Sequence, residues 1–160
     1  MNLRLKNKEM RRVVEYRTMF NITKDADLAE LKVIYRNLMK EWHPDKFVDN
    51  DEQREAAEVK SKQIIEAYHF LVSVSPETNK SNMEDYTNTT TNSGIDDIEY
   101  KGTTLKVSFQ DGSVYEYFSI PKTVYNKLMN SSTLTRFARR HIFHEYMYRN
   151  VTKPKPAMAL

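Results

Sequence analysis

The chain contains no cysteine. This excludes disulfides, thiolate metal sites and cysteine nucleophiles and leaves no argument for an oxidising compartment, so a cytoplasmic address is expected. Glycine occurs only three times in 160 residues. Gly94, Gly102 and Gly112 stand far apart, so each reads as a turn residue and none belongs to a phosphate-cradling loop. No stretch approaches the roughly 18 apolar residues that span a bilayer. The opening "MNLRLKNKEMRRVVEY" is broken by charge every few residues, unlike a secretory signal peptide. No membrane role is expected. His141 and His144 share an i, i+3 spacing but lack a third convergent ligand, so neither a metal nor a cofactor is expected. Nothing has the spacing of a nucleophile and its base, and the chain does not read as an enzyme.

What is present divides the chain. Apolar residues make up 39% and charged residues 29%, enough to bury a core and keep its surface in water. Residues 1–92 carry 15 Lys/Arg against 16 Asp/Glu, whereas residues 93–160 carry 10 against 6. The basic excess therefore belongs to the second part, where it favours an anionic partner. Between the parts lies "SPETNKSNMEDYTNTTTN", rich in Ser, Thr and Asn with no apolar period. Residues 75–92 are expected to form a flexible linker.

Upstream, the period is helical. Leu28, Leu31, Tyr35, Leu38 and Trp42 recur at three- and four-residue intervals, with Asp27 as the cap and Glu30 completing a capping box. Pro44 forces His43 out of the α region, so this helix stops near Trp42. A second helix is expected from Asp51 to Val74 along Ala57, Ser61, Ile64, Tyr68 and Leu71. A short one from Arg12 to Asn21 supplies Val13, Tyr16 and Phe20. Downstream the period becomes two. Leu105, Val107 and Phe109 alternate with Lys106 and Ser108 as on a half-buried strand, and "KG" and "DG" mark hairpin turns. The expectation is two small domains. An all-α helical hairpin is followed by an α+β module of three antiparallel strands and two helices, the second running through "RFARRHIFHEYMY" with Ser131 or Ser132 as its cap.

Between the long helices stands "EWHPDKF". As an isolated tripeptide, His43–Pro44–Asp45 reads as a polar turn. It follows a helix whose solvent face carries Lys32, Arg36 and Lys40 at four-residue spacing. In that frame, residues 15–74 resemble the J domain of DnaJ-type co-chaperones, with residues 1–14 as an N-terminal helical extension. "EYRTMFNI" resembles the family's first helix, "DADLAELKVIYRNLMKEW" its second, "HPD" its signature loop and "IIEAYHFL" the end of its third. The resemblance implies docking on a DnaK-type chaperone and stimulation of its ATP hydrolysis, through His43, Pro44, Asp45, Lys32, Tyr35, Arg36 and Lys40. Tyr35 is equally well explained as core, and Trp42 reads as core. The chain departs from the family pattern at Asn21, often glycine; at Asn37 and Glu41, often basic; and at Ser61, usually aromatic. No Gly/Phe-rich region or zinc module follows, so a specialised adaptor for an unknown client protein is expected.

Residues 93–151 resemble a second family, the KTSC domain, which is also appended to some lysyl-tRNA synthetases. "IEY", "LKVSF", "DGSVYEYFSIP" and "RFARRHIFHEYMY" carry that resemblance, with Tyr115 and Tyr117 as its YxY pair. An RNA-binding role is the alternative expectation for the protein, with the helical unit as scaffold. In it Tyr115 and Tyr117 stack on bases while Arg136, Arg139 and Arg140 neutralise phosphates. The competing reading makes the tyrosines core and the arginines a solvated face. Arg149 and a basic tail at 152–160, with Lys153 and Lys155, extend the positive charge.

Overall fold

The computed structural model describes residues 3–152, with side chains from Arg12 onward. The tail beyond Thr152, with Lys153 and Lys155, lies outside the described residues. The chain forms two compact units, one from Arg11 to Lys80 and one containing the residues from Ser81 onward.

The first unit is helical. Helix α1 spans Leu3–Phe20, of which the part from Arg11 belongs to this unit, α2 spans Leu28–Trp42 and α3 spans Asp51–Val74. The short first helix expected from Arg12 is thus the C-terminal half of a longer one. Helix α1 ends at Asn21, whose φ of +52° suits asparagine, one of the few residues that tolerate the left-handed region. Around it Ile22 N–H bonds Arg17 C=O and Asn21 N–H bonds Thr18 C=O, the paired closure that satisfies the last carbonyls of a helix. Helix α2 begins as its sequence requires, with the Asp27 carboxylate accepting from Glu30 N–H at 2.8 Å. Its apolar stripe meets α3 in a core of Phe20, Leu31, Ile64, Ala67 and Leu71, with Leu28, Leu38 and Trp42 packed alongside. Tyr35 stacks on Tyr68 at 4.2 Å and Lys60 lies over the Trp42 ring. The two contacts run in opposite chain directions, so α2 and α3 are antiparallel. Ser61 is buried and donates to Glu58 C=O, which satisfies a hydroxyl at a position with no room in water.

In the second unit, four antiparallel strands lie in sequence order: β1 Ile95–Lys101, β2 Thr104–Phe109, β3 Val114–Tyr117 and β4 Tyr148–Asn150. Leu105 pairs with Tyr117 and Val107 with Tyr115. One face therefore carries Leu105, Val107, Phe109, Tyr115 and Tyr117, all buried. Helices α6, Lys122–Met129, and α7, Leu134–His141, contribute Leu128 and Ala138 to that core, and the segment after α7 adds Ile142 and Phe143. The hairpin turns fall where glycine allows them, with φ of +64° at Gly102 and +91° at Gly112.

Three expectations are corrected. Residues 75–92 are not a flexible linker: α4 spans Pro76–Ser81 and α5 spans Met83–Asn92. Thr and Asn are poor helix formers, but burial outweighs that intrinsic preference. Tyr86 is 2% exposed within the second core, Thr90 donates back to Tyr86 C=O, and Thr89 donates to the Asp111 carboxylate at 2.8 Å. The long last helix stops at His141. Ile142 and Phe143 N–H both turn back to Ala138 C=O, and Tyr148–Asn150 pairs with β3 as a fourth strand. The aromatic tail is used on the sheet, where Tyr148 lies parallel to Tyr86 at 4.0 Å. The N-cap position of α7 belongs to Thr133, while Ser131 donates to Leu128 C=O at the end of α6.

Candidate functional site

The His43–Pro44–Asp45 turn is held by its own residues. His43 is extended, with φ −65° and ψ 130°, as a residue before proline must be. Pro44 opens a single 3-10 turn, Pro44–Phe47. The His43 Nδ1 accepts the Asp45 N–H at 3.2 Å, capping that turn. A ring nitrogen that accepts an N–H carries no proton, so Nε2 is the donor left for another molecule. The Asp45 carboxylate lies 3.5 Å from the same ring, yet its side chain is 90% exposed. The backbone of the turn is capped, and the carboxylate it carries faces water. Lys32, Arg36 and Lys40 are all exposed on α2, and Val33 between them is 57% exposed. The turn and the cationic stripe thus lie on accessible surface. Tyr35 is different: half-buried against Tyr68, it serves the core with at most an edge in water.

The residues singled out in the second unit do not form one surface. Tyr115 and Tyr117 are 3% and 0% exposed. Base stacking needs an open ring face, so these two cannot stack on a nucleic acid. Tyr117 sits under Phe143, and Tyr115 packs edge-on to Tyr86 and Phe109. Arg139 is exposed, but its guanidinium is engaged by the fold, donating to Thr90 and Thr91 C=O at 2.9 Å each. It satisfies carbonyls at the end of α5, where a cation also meets the negative end of the helix dipole. Arg149 pairs with Glu116 at 3.3 Å, both largely covered. Across the four strands Glu99, Lys106, Glu116 and Arg149 are successive partners. Acid and base alternate there, so that face does not attract a polyanion. Arg136 and Arg140 remain exposed on α7. His141 closes α7 and His144 lies beyond it, so the two do not share a helix face. Among the described residues no group of three or more His, Asp or Glu could hold a metal, and no helix is long and apolar enough to cross a membrane.

Two family models match, the DnaJ domain at residues 15–82 and the KTSC domain at residues 91–146. The chain carries a DnaJ domain followed by a KTSC domain. The DnaJ domain is 43% identical over 53 residues to "DnaJ protein homolog XDJ1" of Saccharomyces cerevisiae, covering 33% of this chain and 11% of that protein. It is 41% identical over 59 residues to "DnaJ homolog subfamily B member 6" of Homo sapiens, 37% of this chain and 17% of the relative. With "Chaperone protein DnaJ" of Thermotoga maritima it shares 40% identity over 57 residues, 36% of this chain and 15% of the relative. The chain thus spans under a quarter of the length of these curated relatives.

Two features were missed by sequence reasoning. In the DnaJ domain, the task of the His43 ring depends on the rotamer that brings Nδ1 to the Asp45 N–H, which no spacing encodes. In the second unit the missed residue is Tyr86, which precedes the KTSC match. Its hydroxyl donates to Phe143 C=O at 2.6 Å and lies 3.1 Å from the Tyr117 hydroxyl. One phenol has one proton, so Tyr117 donates to Tyr86. Burial pushes both phenols up; for Tyr115, burial followed by the neighbouring Tyr148 and Asp111 pushes the value up to about 12. The only sequence signal for Tyr86 was one aromatic residue in an otherwise polar run.

Proposed function

We propose that this protein is a J-domain co-chaperone, docking on a DnaK-type chaperone to stimulate its ATP hydrolysis and using its KTSC domain as an adaptor for a specific client protein or an RNA. One observation carries the reading: a self-capped turn holds the Asp45 carboxylate in water beside an exposed cationic helix face. A carboxylate carried on such a turn forms a charge-assisted pair with a partner arginine, stronger than a neutral hydrogen bond. Because Pro44 and the His43 cap hold the turn before contact, less entropy is lost on docking. Lys32, Arg36 and Lys40 steer the encounter toward an acidic surface. The ATP is bound and cleaved by the partner, so the chain itself is no enzyme and needs no cofactor. A cytoplasmic site of action is part of the same proposal, in keeping with a sequence that has no cysteine.

Single-turnover ATP hydrolysis by a purified DnaK-type chaperone tests this. The full chain is expected to accelerate it, and changing Lys32, Arg36 and Lys40 together to glutamine to slow association by about tenfold at low salt, with the difference shrinking as salt is added. An unchanged hydrolysis rate over a panel of such chaperones would overturn the reading. An RNA-binding protein with a scaffold helical unit is the competing class. Of the residues expected to carry it, Tyr115 and Tyr117 are buried and Arg139 is engaged by Thr90 and Thr91 C=O, which leaves Arg136 and Arg140 on the surface.

A further inference from the structure

A cleft of about 420 Å³ opens between α6, α7 and the turn after α7, lined by Val124, Lys127, Phe137, Arg140, His141, Glu145 and Tyr146. Its volume lies within the roughly 300–1,000 Å³ of small-ligand sites. We propose that this cleft binds a nucleotide unit, a flat base carrying a phosphate. The proposal rests on the adaptor reading of the KTSC domain and is independent of chaperone docking.

Each wall of the cleft has a matching part of that ligand. Phe137 and Tyr146 are only partly buried, so each keeps ring surface open to the cleft. The His141 ring lies 4.7 Å from that of Phe137 and is tilted by 45° to it, so the two rings form adjoining inclined walls, either of which can stack on a base. Lys127 and Arg140 stand on α6 and α7, both exposed, and neither forms an ion pair among the described residues. Two unpaired cations lining one cleft suit a phosphate, with arginine able to bind it through two N–H groups. Glu145 separates a nucleotide from an acidic peptide. Its carboxylate repels any anion placed beside it, so the phosphate belongs with Lys127 and Arg140, while the carboxylate accepts a hydrogen bond from the exocyclic amino group of a base, a donor that acidic side chains lack. Burial and the Glu145 charge push the Tyr146 phenol up, so it stays a neutral donor beside that carboxylate. The site lies apart from Tyr115 and Tyr117, whose stacking faces are enclosed.

The test uses the full chain at low salt with two probes, adenosine monophosphate followed by NMR and a fluorescein-labelled single-stranded RNA of mixed sequence followed by anisotropy. Binding of either probe is expected, and the probe that binds more tightly identifies the source, free nucleotide or strand. Changing Lys127 and Arg140 together to glutamine should weaken binding by at least about tenfold. For the strand it should also make the slope of log affinity against log salt shallower by about 0.7, the value for one phosphate left without its cations. Lys101→Gln, on the first hairpin, should change neither. All of these side chains are exposed, so unfolding temperatures should not move. Binding of neither probe, or binding whose affinity and salt slope survive the double change, would overturn the proposal. A chain that binds neither probe but still delivers a protein client to the chaperone would leave the adaptor reading standing and remove this site alone.

Discussion

His43–Pro44–Asp45 in the first unit and Tyr115–Glu116–Tyr117 in the second are both short motifs that carry a family resemblance, yet the fold treats them in opposite ways. The first lies on a turn whose terminal carboxylate is 90% exposed. The second places both rings in the core and only Glu116 on the outer face, where it pairs with Arg149. The difference comes from the period of the surrounding chain. A turn ending an amphipathic helix has no apolar face to satisfy, so its polar groups are available to a partner. On a strand, residues two apart share a face, and when that face also carries Leu105, Val107 and Phe109 the tyrosines are committed to packing. A motif in a sequence is a candidate for recognition; its exposure decides whether it is one.

That comparison can be broken in the second unit first, because its motif is predicted to matter for stability alone. Tyr86→Ala removes the ring stacked on Tyr148 and should cost about 3–5 kcal/mol, the range for deleting a buried aromatic. Amide exchange in β2 and β3 should show the loss, and native protection in this variant would return α5 to the role of a linker. Tyr86→Phe keeps the ring but leaves the Phe143 carbonyl and the Tyr117 hydroxyl without partners, at about 1–3 kcal/mol. Arg139→Ala frees the last carbonyls of α5 where water can reach them, and about 1 kcal/mol is expected in denaturant melts.

Two pH effects are smaller under ordinary conditions but have definite signs. Tyr86, Tyr115 and Tyr117 have folded values raised above the usual value of about 10. Their contribution is therefore complete below that pH and lost as pH rises toward the folded values. Ultraviolet titration should show three phenols that ionise only when the second unit unfolds, and three ordinary titrations would place them in water. For Asp111, desolvation is opposed by hydrogen bonds from Ser113 N–H and the Thr89 hydroxyl, which hold the carboxyl below its usual range. Its contribution is present above the ordinary aspartate value and fades as pH falls through the lowered one. Because this carboxylate is exposed, water screens it and the effect should be the smallest of the set. Asp111→Asn should flatten the acid limb of the stability profile.

The first unit was largely legible because helical periodicity, the Asp27 cap and the Pro44 stop are local signals that agree with one another. The position of Asn21 was legible too, since few other residues accept its backbone angle. The strands announced themselves through alternation and the glycine turns. What escaped was non-local. Nothing within "MEDYTNTTTN" says that Tyr86 will close a core whose other buried members lie on β2, β3, α6, α7 and the segments after β3 and α7, and intrinsic preference alone argues for coil there. The fourth strand escaped for the same reason: Tyr148–Asn150 is three residues long and pairs only because β3 offers an edge. Arg139 looked like one of several cations on a basic helix. Its actual partners, the Thr90 and Thr91 carbonyls, belong to a helix that the composition did not suggest.

The most direct test of the central claim is Asp45→Asn in the full chain, read as single-turnover stimulation of a DnaK-type chaperone beside a thermal melt. Asparagine keeps the size of the side chain and removes its charge. Stimulation should fall to the unstimulated rate while the melt is unchanged, because the exposed carboxylate accepts nothing that the fold needs. His43→Gln, which removes the ring nitrogen capping the turn, should lose most of the stimulation as well. Full stimulation by Asp45→Asn would contradict the account, and so would a lost melt, which would make the motif structural after all.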